Sequence, residues 1–196
     1  ISQYSFVKKR SPIASRPSAI SEDKFTETIT ATNVSQTVTA AKASSLNYGN
    51  SSKQVNIYEG EFLHNKGFQG KGIKIAVLDA GFFKYQNIAA FDSLKIKGQL
   101  KMTWDFVDNN ASVNEDDAHG MQCLSILAAN LPGAFVGTAP ASSYYLFRTE
   151  DVASEFPVEE QNWLAAAEKA DSIGVQLISS SLGYNTFDDA SFNYTY

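Results

Sequence analysis

The sequence has a single cysteine and no long apolar run, and each shortage excludes a structural feature. Its one cysteine, Cys123, rules out an internal disulfide. No apolar run reaches the roughly 18 residues that a membrane-spanning helix needs. Lys and Arg total 16 against 21 for Asp and Glu, which gives a formal net charge of −5. This acidic balance predicts neither a nucleic acid nor an anionic membrane as a partner, because both attract basic surfaces.

The composition divides the 196 residues into two parts. Residues 1–53 are rich in Ser, Thr, Ala and Lys and contain Pro12 and Pro17, which predicts an extended arm with one strand in "QYSFV". We interpret this arm as an N-terminal extension or the remnant of a propeptide. Residues 54–196 carry most of the apolar residues, and 43% of the chain is hydrophobic, so this part predicts one globular domain.

Strand and helix patterns alternate along residues 54–196. The predicted strands are Ile73 to Asp79, Leu100 to Asp108, 142–149 and a buried strand at 175–183. The predicted helices are 54–67, 119–130 and 157–174. The first of these helices has Val55, Tyr58, Phe62 and Leu63 on one face. Such alternation is typical of a parallel sheet that helices cover on both faces. The fold class is therefore predicted to be α/β.

A carboxylate and a histidine stand where such a sheet places catalytic groups. Asp79 ends the first strand, at the edge where loops and helix N-termini gather. Taken alone, it is more typical of a turn or capping residue than of a catalytic one. His119 opens an apolar helix forty residues later, with Gly120 allowing close approach of another backbone, and this setting suits a general base. The other histidine, His64, is predicted to lie in a loop or at a helix end.

Four segments together resemble the subtilisin-like serine proteases, the subtilase family. They are "GKGIKIAVLDAGF", "DDAHGMQCLSILAA", "GTAPASSYYLFRT" and "LISSSLGYN", in the family's order and approximate spacing across residues 54–196. The sequences of these segments most resemble those of secreted Bacteroidetes subtilases. The resemblance implies a subtilisin-like three-layer α/β/α fold with a mainly parallel sheet, of which this chain is the N-terminal half, and an enzyme that is secreted, periplasmic or held at the cell surface.

The resemblance also implies site residues. Asp79 and His119 match the acid and the base of a Ser-His-Asp triad, with Gly81 leaving room for the histidine to approach. Two departures, Ala80 where Ser or Thr is usual and Met121 where Thr is usual, change the surroundings of this pair without removing a proton-transfer group. The family's substrate-binding strand matches Ser181, Leu182 and Gly183, whose backbone would pair with an extended polypeptide.

The family's nucleophilic serine and oxyanion-hole asparagine have no match in the sequence, and only 13 residues follow Gly183. We therefore expect a secreted serine endopeptidase whose other half is a complementary C-terminal fragment, either a nicked partner or a part cut away, with this chain inactive alone. The alternative is a non-catalytic α/β peptide-binding module or pseudoprotease. A third reading, Asp79 as the phosphoacceptor or Mg²⁺ ligand of a receiver-like domain, lacks the accompanying acids and lysine.

Two further hypotheses concern residues near the histidine. Cys123 follows His119 by four residues and so lies on the same helix face, and some subtilases with a cysteine at the matching place are sensitive to mercurials. The segment before His119 offers oxygen atoms at spacings that suit a calcium loop, and it resembles the calcium loop of thermitase-like subtilases. A solvated acidic loop that binds no metal is an equally good interpretation. Its candidate Ca²⁺ ligands are Asp105, Asp108, Asn110, Ser112 and Asn114.

Overall fold

The computed structural model describes residues 46–114 and 117–195. Most of the predicted N-terminal arm, with its strand in "QYSFV", lies outside the described residues. The elements in chain order are α1 (Ser52–Asn56), α2 (Gly60–Asn65), β1 (Lys74–Asp79), α3 (Asp92–Ile96), β2 (Leu100–Asp105), α4 (His119–Ala128), β3 (Asn130–Leu131), β4 (Phe135–Val136), β5 (Ser143–Arg148), α5 (Val158–Ser172) and β6 (Leu177–Ser180), with short 3₁₀ turns at Tyr85–Asn87, Ala89–Phe91 and Ala190–Phe192.

The main sheet contains four parallel strands in the order β2-β5-β1-β6. β1 lies between β5 and β6, and the register sets Asp79 beside Arg148 at the carboxyl ends of β1 and β5. All four strands end at the same edge because they are parallel. The strands predicted from the sequence are confirmed, although β2 ends at Asp105 and β6 covers only part of 175–183.

Helices cover both faces of the sheet. Alternate residues of β1 point in opposite directions, so Val77 packs with Leu124 of α4 in one cluster and Leu78 packs with Ala166 of α5 in the other. The large side chains of β5 alternate in the same way. Tyr144 and Leu146 lie on the α4 side of the sheet, and Tyr145 and Phe147 lie on the α5 side. The predicted three-layer α/β/α arrangement is confirmed. Among the described residues, no helix is long and apolar enough to cross a bilayer.

The prediction of a single helix over residues 54–67 is wrong, because two short helices, α1 and α2, occupy this segment. The chain breaks between α1 and α2, where Glu59 adopts a left-handed backbone conformation with φ 56°. The break turns the chain, so the apolar positions no longer share one buried face. Val55 is buried, whereas Tyr58 is 81% exposed and Phe62 is 56% exposed.

His64 lies in the last turn of α2, which confirms its predicted place at a helix end. The side chain is nevertheless buried between two parts of the chain. Tyr48 donates its hydroxyl to His64 Nδ1 at 2.8 Å, and His64 Nε2 lies 2.9 Å from the carbonyl oxygen of Thr138. His64 therefore ties the α2 segment to the loop that follows β4, and we assign it a structural role.

The strand predicted at 175–183 is present as β6, but the prediction that it is buried is wrong. β6 is the last strand of the sheet, and Leu177 and Ile178 are 48% and 39% exposed. Within the described residues β6 pairs only with β1, so one edge of the sheet and part of its apolar surface are open there.

Candidate active site

Asp79 ends β1 with its side chain fully buried. Its Oδ1 atom accepts the backbone N–H of Ala80 at 2.7 Å and lies 2.7 Å from Nδ1 of His119. Its Oδ2 atom is buried with no hydrogen-bond partner among the described residues. Burial raises the pKa of Asp79, and the hydrogen bond to His119 opposes that shift. The sheet therefore buries a carboxylate that has one main task, which is to bind the imidazole.

His119 is the first residue of α4, as the sequence predicts. The carboxylate of Asp117 accepts the backbone N–H of His119 at 2.6 Å, so an acidic side chain fixes the start of the helix. The His119 side chain is 26% exposed, which leaves part of the ring open to solvent while Nδ1 faces Asp79. A proton on Nδ1 is held by the carboxylate, and this leaves Nε2 as the basic nitrogen.

Gly120 lets α4 pack directly against the end of β1. A Cβ atom at this position would lie 2.4 Å from the carbonyl oxygen of Gly81 and 2.7 Å from Cβ of Asp79. The close approach that the sequence predicts for Gly120 is therefore confirmed. Gly81 has a φ of 148°, a conformation that other residues rarely adopt. Any side chain at Gly120 would push His119 away from Asp79.

Cys123 lies one helical turn beyond His119 and touches its ring. Its sulfur lies 4.0 Å from Nδ1 and 3.9 Å from Nε2, and its thiol donates to Oγ of Ser181 at 3.5 Å. Burial raises the pKa of Cys123, so the sulfur stays protonated at neutral pH. A protonated thiol is a poor nucleophile, and this argues against a Cys-His catalytic pair.

The sequence profile of the subtilase family, peptidase S8, matches residues 70–195, a span that includes both Asp79 and His119. The chain belongs to the subtilase family. Thermitase of Thermoactinomyces vulgaris is 32% identical over 120 residues, which cover 59% of this chain and 39% of thermitase. The minor extracellular protease Vpr of Bacillus subtilis is 32% identical over 126 residues, which cover 60% of this chain and 14% of Vpr.

Among solved structures, the MycP3 protease from the type VII (ESX-3) secretion system superimposes with a TM-score of 0.52 at 18% identity, over 69% of this chain and 37% of MycP3. This similarity confirms the fold alone. The chain spans 39% of the length of thermitase and 14% of Vpr, so it is similar to only part of each relative.

In this subtilase chain, the residues predicted to bind substrate follow β6 directly. Ser181 and Gly183 are exposed and Leu182 is half-buried. A Cβ atom added at Gly183 would meet nothing within 4 Å, so open space adjoins the backbone there. Ser181 contacts Cys123, and Cys123 contacts the ring of His119, so a single side chain separates the start of this segment from His119. The structure thus brings the segment to the Asp-His pair, and its role in substrate binding stays a prediction.

The predicted calcium loop begins with two carboxylates that already have a cationic partner. Nη1 of Arg148 lies 2.9 Å from Oδ2 of Asp105 and 2.9 Å from Oδ2 of Asp108. The other oxygen of Asp105 accepts the backbone N–H groups of Val107 and Asp108 at 2.8 and 3.0 Å. Both oxygens of the buried Asp105 are therefore in use.

Two of the amide ligands predicted for this loop make hydrogen bonds to backbone N–H groups. Oδ1 of Asn110 accepts the backbone N–H of Ser112 at 2.7 Å, and both side chains are exposed. The backbone carbonyl of Asn114 accepts the N–H of Lys84 at 3.0 Å. As the loop stands, its donors do not fit a calcium ion, because a guanidinium group occupies the position between the acids. Calcium binding by this subtilase stays an untested prediction.

Sequence reasoning missed a group of buried acids beside Gly183. Glu150 and Glu159 are each 1% exposed, and their carboxylate oxygens lie within 4.8 Å of one another and of Glu155. Tyr184 donates its hydroxyl to Glu150, and burial together with the charge of Glu150 raises the pKa of Tyr184. The signal in the sequence was the charged run "RTED" at the end of an apolar strand. Local periodicity does not reveal that residues so far apart in the sequence meet.

Replacing Asp79 with asparagine is expected to stabilise the protein at neutral pH. Because burial raises the pKa of Asp79 in the folded state, the fold binds its proton more tightly than the unfolded chain does, and ionising Asp79 lowers stability as pH rises through that pKa. The asparagine carries no charge, so the thermal midpoint should rise at pH 7 by about 2 to 4 °C. The gain should shrink as the pH is lowered. A midpoint below that of the wild type at pH 7 would contradict this account.

Proposed function

We propose that this chain supplies the acid and the base of an extracellular serine endopeptidase. The observation that carries the proposal is the 2.7 Å contact between His119 Nδ1 and the buried Asp79 Oδ1, at the carboxyl edge of a subtilase sheet. The nucleophilic serine and the oxyanion asparagine come from a complementary C-terminal portion. In support, no segment of the chain matches either motif, and the chain spans only 39% of thermitase.

In this mechanism His119 transfers the proton. Nε2 removes the proton from the serine hydroxyl as that oxygen attacks the peptide carbonyl, and later gives it to the leaving amine. Asp79 keeps Nδ1–H directed towards itself and stabilises the positive imidazolium that forms. A buried acid suits this task because its charge is poorly screened by water.

We infer that the substrate is a polypeptide bound in an extended conformation along 181–183. The open space at Gly183 and the exposure of Ser181 support this inference, since a peptide could add as a strand and pair with the backbone there. The open edge of β6 supports the proposed C-terminal portion in a similar way: its exposed Leu177 and Ile178 are residues that a further strand or helix would cover.

The proposed location is outside the cytoplasm, by secretion or in the periplasm or at the cell surface. Support comes from a relative described as an extracellular protease, Vpr, which is 32% identical over 126 residues. Neither nucleic acid nor membrane lipid is part of the proposal. The net charge of −5 gives no support for either partner, since both attract basic proteins.

Fluorophosphonate labelling followed by peptide mass spectrometry tests the proposal. Such probes react with an activated serine, so the complete protein should be labelled at one serine in the C-terminal portion. Residues 1–196 purified alone should show no labelling and no peptidase activity. Robust peptide hydrolysis by the single chain would overturn the claim that the nucleophile lies elsewhere. A complete protein that binds peptides without any labelling would instead identify a non-catalytic peptide-binding module.

A further inference from the structure

Arg148 is a buried cation surrounded by acids at the carboxyl end of the sheet. It is 5% exposed, and besides the contacts at 2.9 Å to Asp105 and Asp108 its Nη2 atom lies 3.9 Å from Asp151. Asp105 and Asp151 are themselves buried, at 1% and 7% exposed. Three carboxylates therefore converge on one guanidinium group, and Asp108 is the exposed member, with 61% of its side chain accessible to solvent.

The structure assigns to Arg148 the role of a built-in cation that holds the loop from Asp105 to Asn114 in place of a metal ion. A hard cation binds such a loop by neutralising and gathering its carboxylates. Here the guanidinium of Arg148 already does this: one nitrogen joins Asp105 to Asp108, and the planar group satisfies them with directed hydrogen bonds. A calcium ion could reach the same oxygens only by displacing the arginine.

The position of Arg148 in the sheet connects this loop to the Asp-His pair. In the register of the strands, Arg148 lies beside Asp79 on one side and beside Asp105 on the other. The backbone carbonyl of Arg148 also accepts the N–H of Phe106 at 2.9 Å, so both ends of the residue bind the start of the loop.

The far end of the same loop supports the chain that follows Asp79. Carbonyl oxygens of Val113 and Asn114 accept the backbone N–H groups of Phe82 and Lys84 at 2.8 and 3.0 Å. A loop released at Asp105 and Asp108 would free this support and shift the turn beyond Asp79. Arg148 is thus a positioning residue that acts through the loop, and it does not touch the reacting atoms.

The test replaces Arg148 with glutamine in the complete protein and measures the thermal midpoint in EDTA and in millimolar CaCl₂. The wild type should melt at the same temperature in both, because its acids already have a cation. Arg148→Gln leaves Asp105 and Asp108 unneutralised, so its midpoint in EDTA should fall by about 10 °C. Calcium should restore at least about half of that loss, since the vacated centre then offers oxygens to the ion.

Two matched variants separate this role from general stability. Arg148→Lys keeps a charge on a shorter side chain but loses the fixed N–H directions with which Nη1 binds both acids, so it should melt between the wild type and Arg148→Gln and stay insensitive to calcium. The double variant Arg148→Gln with Asp105→Asn should lose the calcium response. The proposal is overturned if calcium raises the midpoint of the wild type, or if Arg148→Gln shows no calcium response.

If Arg148→Gln does not fold in EDTA, recovery of folded protein on adding calcium supports the proposal. If Arg148→Gln folds in neither solution, the wild type and Arg148→Lys decide the question. The proposal is supported if calcium changes the midpoint of neither protein, and it is overturned if calcium raises the midpoint of either. The measured quantity is a melting temperature, so the result is independent of whether the complete protein proves to be a peptidase.

Discussion

Replacing His119 with alanine in the complete protein is expected to abolish fluorophosphonate labelling and to lower kcat for peptide hydrolysis by about six orders of magnitude, the loss that follows removal of the triad histidine in subtilisin. The physical reason is that His119 holds the only imidazole beside Asp79 in the part of the chain that the structure describes. Without it, the serine hydroxyl has no base to accept its proton and remains a weak nucleophile.

Asp79→Asn should lower the same rate by less, about four orders of magnitude. The asparagine can still contact His119, but it supplies no negative charge to stabilise the imidazolium and does not fix the proton on Nδ1. The two variants should therefore rank in order, with His119→Ala the more damaging. Retention of labelling by His119→Ala would contradict the assignment of the base.

The other histidine provides a matched control. His64 is buried between Tyr48 and Thr138 and belongs to a different part of the fold. His64→Gln should lower the thermal midpoint, because it disturbs the contacts to Tyr48 and Thr138, and should leave the rate per folded molecule within a few-fold of the wild type. An equal loss of activity in both histidine variants would mean that His119→Ala acts through stability and not through proton transfer.

The central strands and the helix that begins at His119 could be predicted because their signals are local. Branched apolar residues from Ile73 to Leu78 indicate a buried strand, and the apolar period after His119 indicates a helix. Once both elements are placed in a parallel sheet, Asp79 and His119 lie at the same carboxyl edge, and the family motif implies that they meet there. The 2.7 Å contact then follows from topology as much as from the motif.

Features that depend on distant partners could not be predicted. The acids of the 105–114 segment suit a metal loop when they are viewed alone, and only the pairing of β2 with β5 brings Arg148 between them. The exposure of Leu177 depends equally on what lies beside β6, which no local apolar run reveals. The break at Glu59 was missed for another reason. Glu59 has a left-handed backbone conformation, and glutamate is not a residue type that signals a turn.

Mercuration of Cys123 is expected to stop catalysis in the complete protein, with a loss of at least about 100-fold, the scale that a misplacement of roughly 1 Å causes in a catalytic group. The sulfur lies 3.9 Å from Nε2 of His119, so a bulky mercurial bound to it must occupy space next to the nitrogen that we propose as the base. The imidazole would then be pushed away from Asp79 or screened from the serine.

The pH dependence of this inactivation follows from the state of the sulfur. Burial raises the pKa of Cys123, and the thiolate is the form that reacts, so inactivation should become faster as the pH rises towards that pKa. Cys123→Ser should retain activity within a few-fold and should resist the mercurial, because the smaller hydroxyl preserves a contact to Ser181 without offering a reactive sulfur. Unchanged activity after stoichiometric mercuration of Cys123, shown by mass spectrometry, would mean that His119 tolerates a large group at 3.9 Å, and the proposed proximity effect would then be wrong.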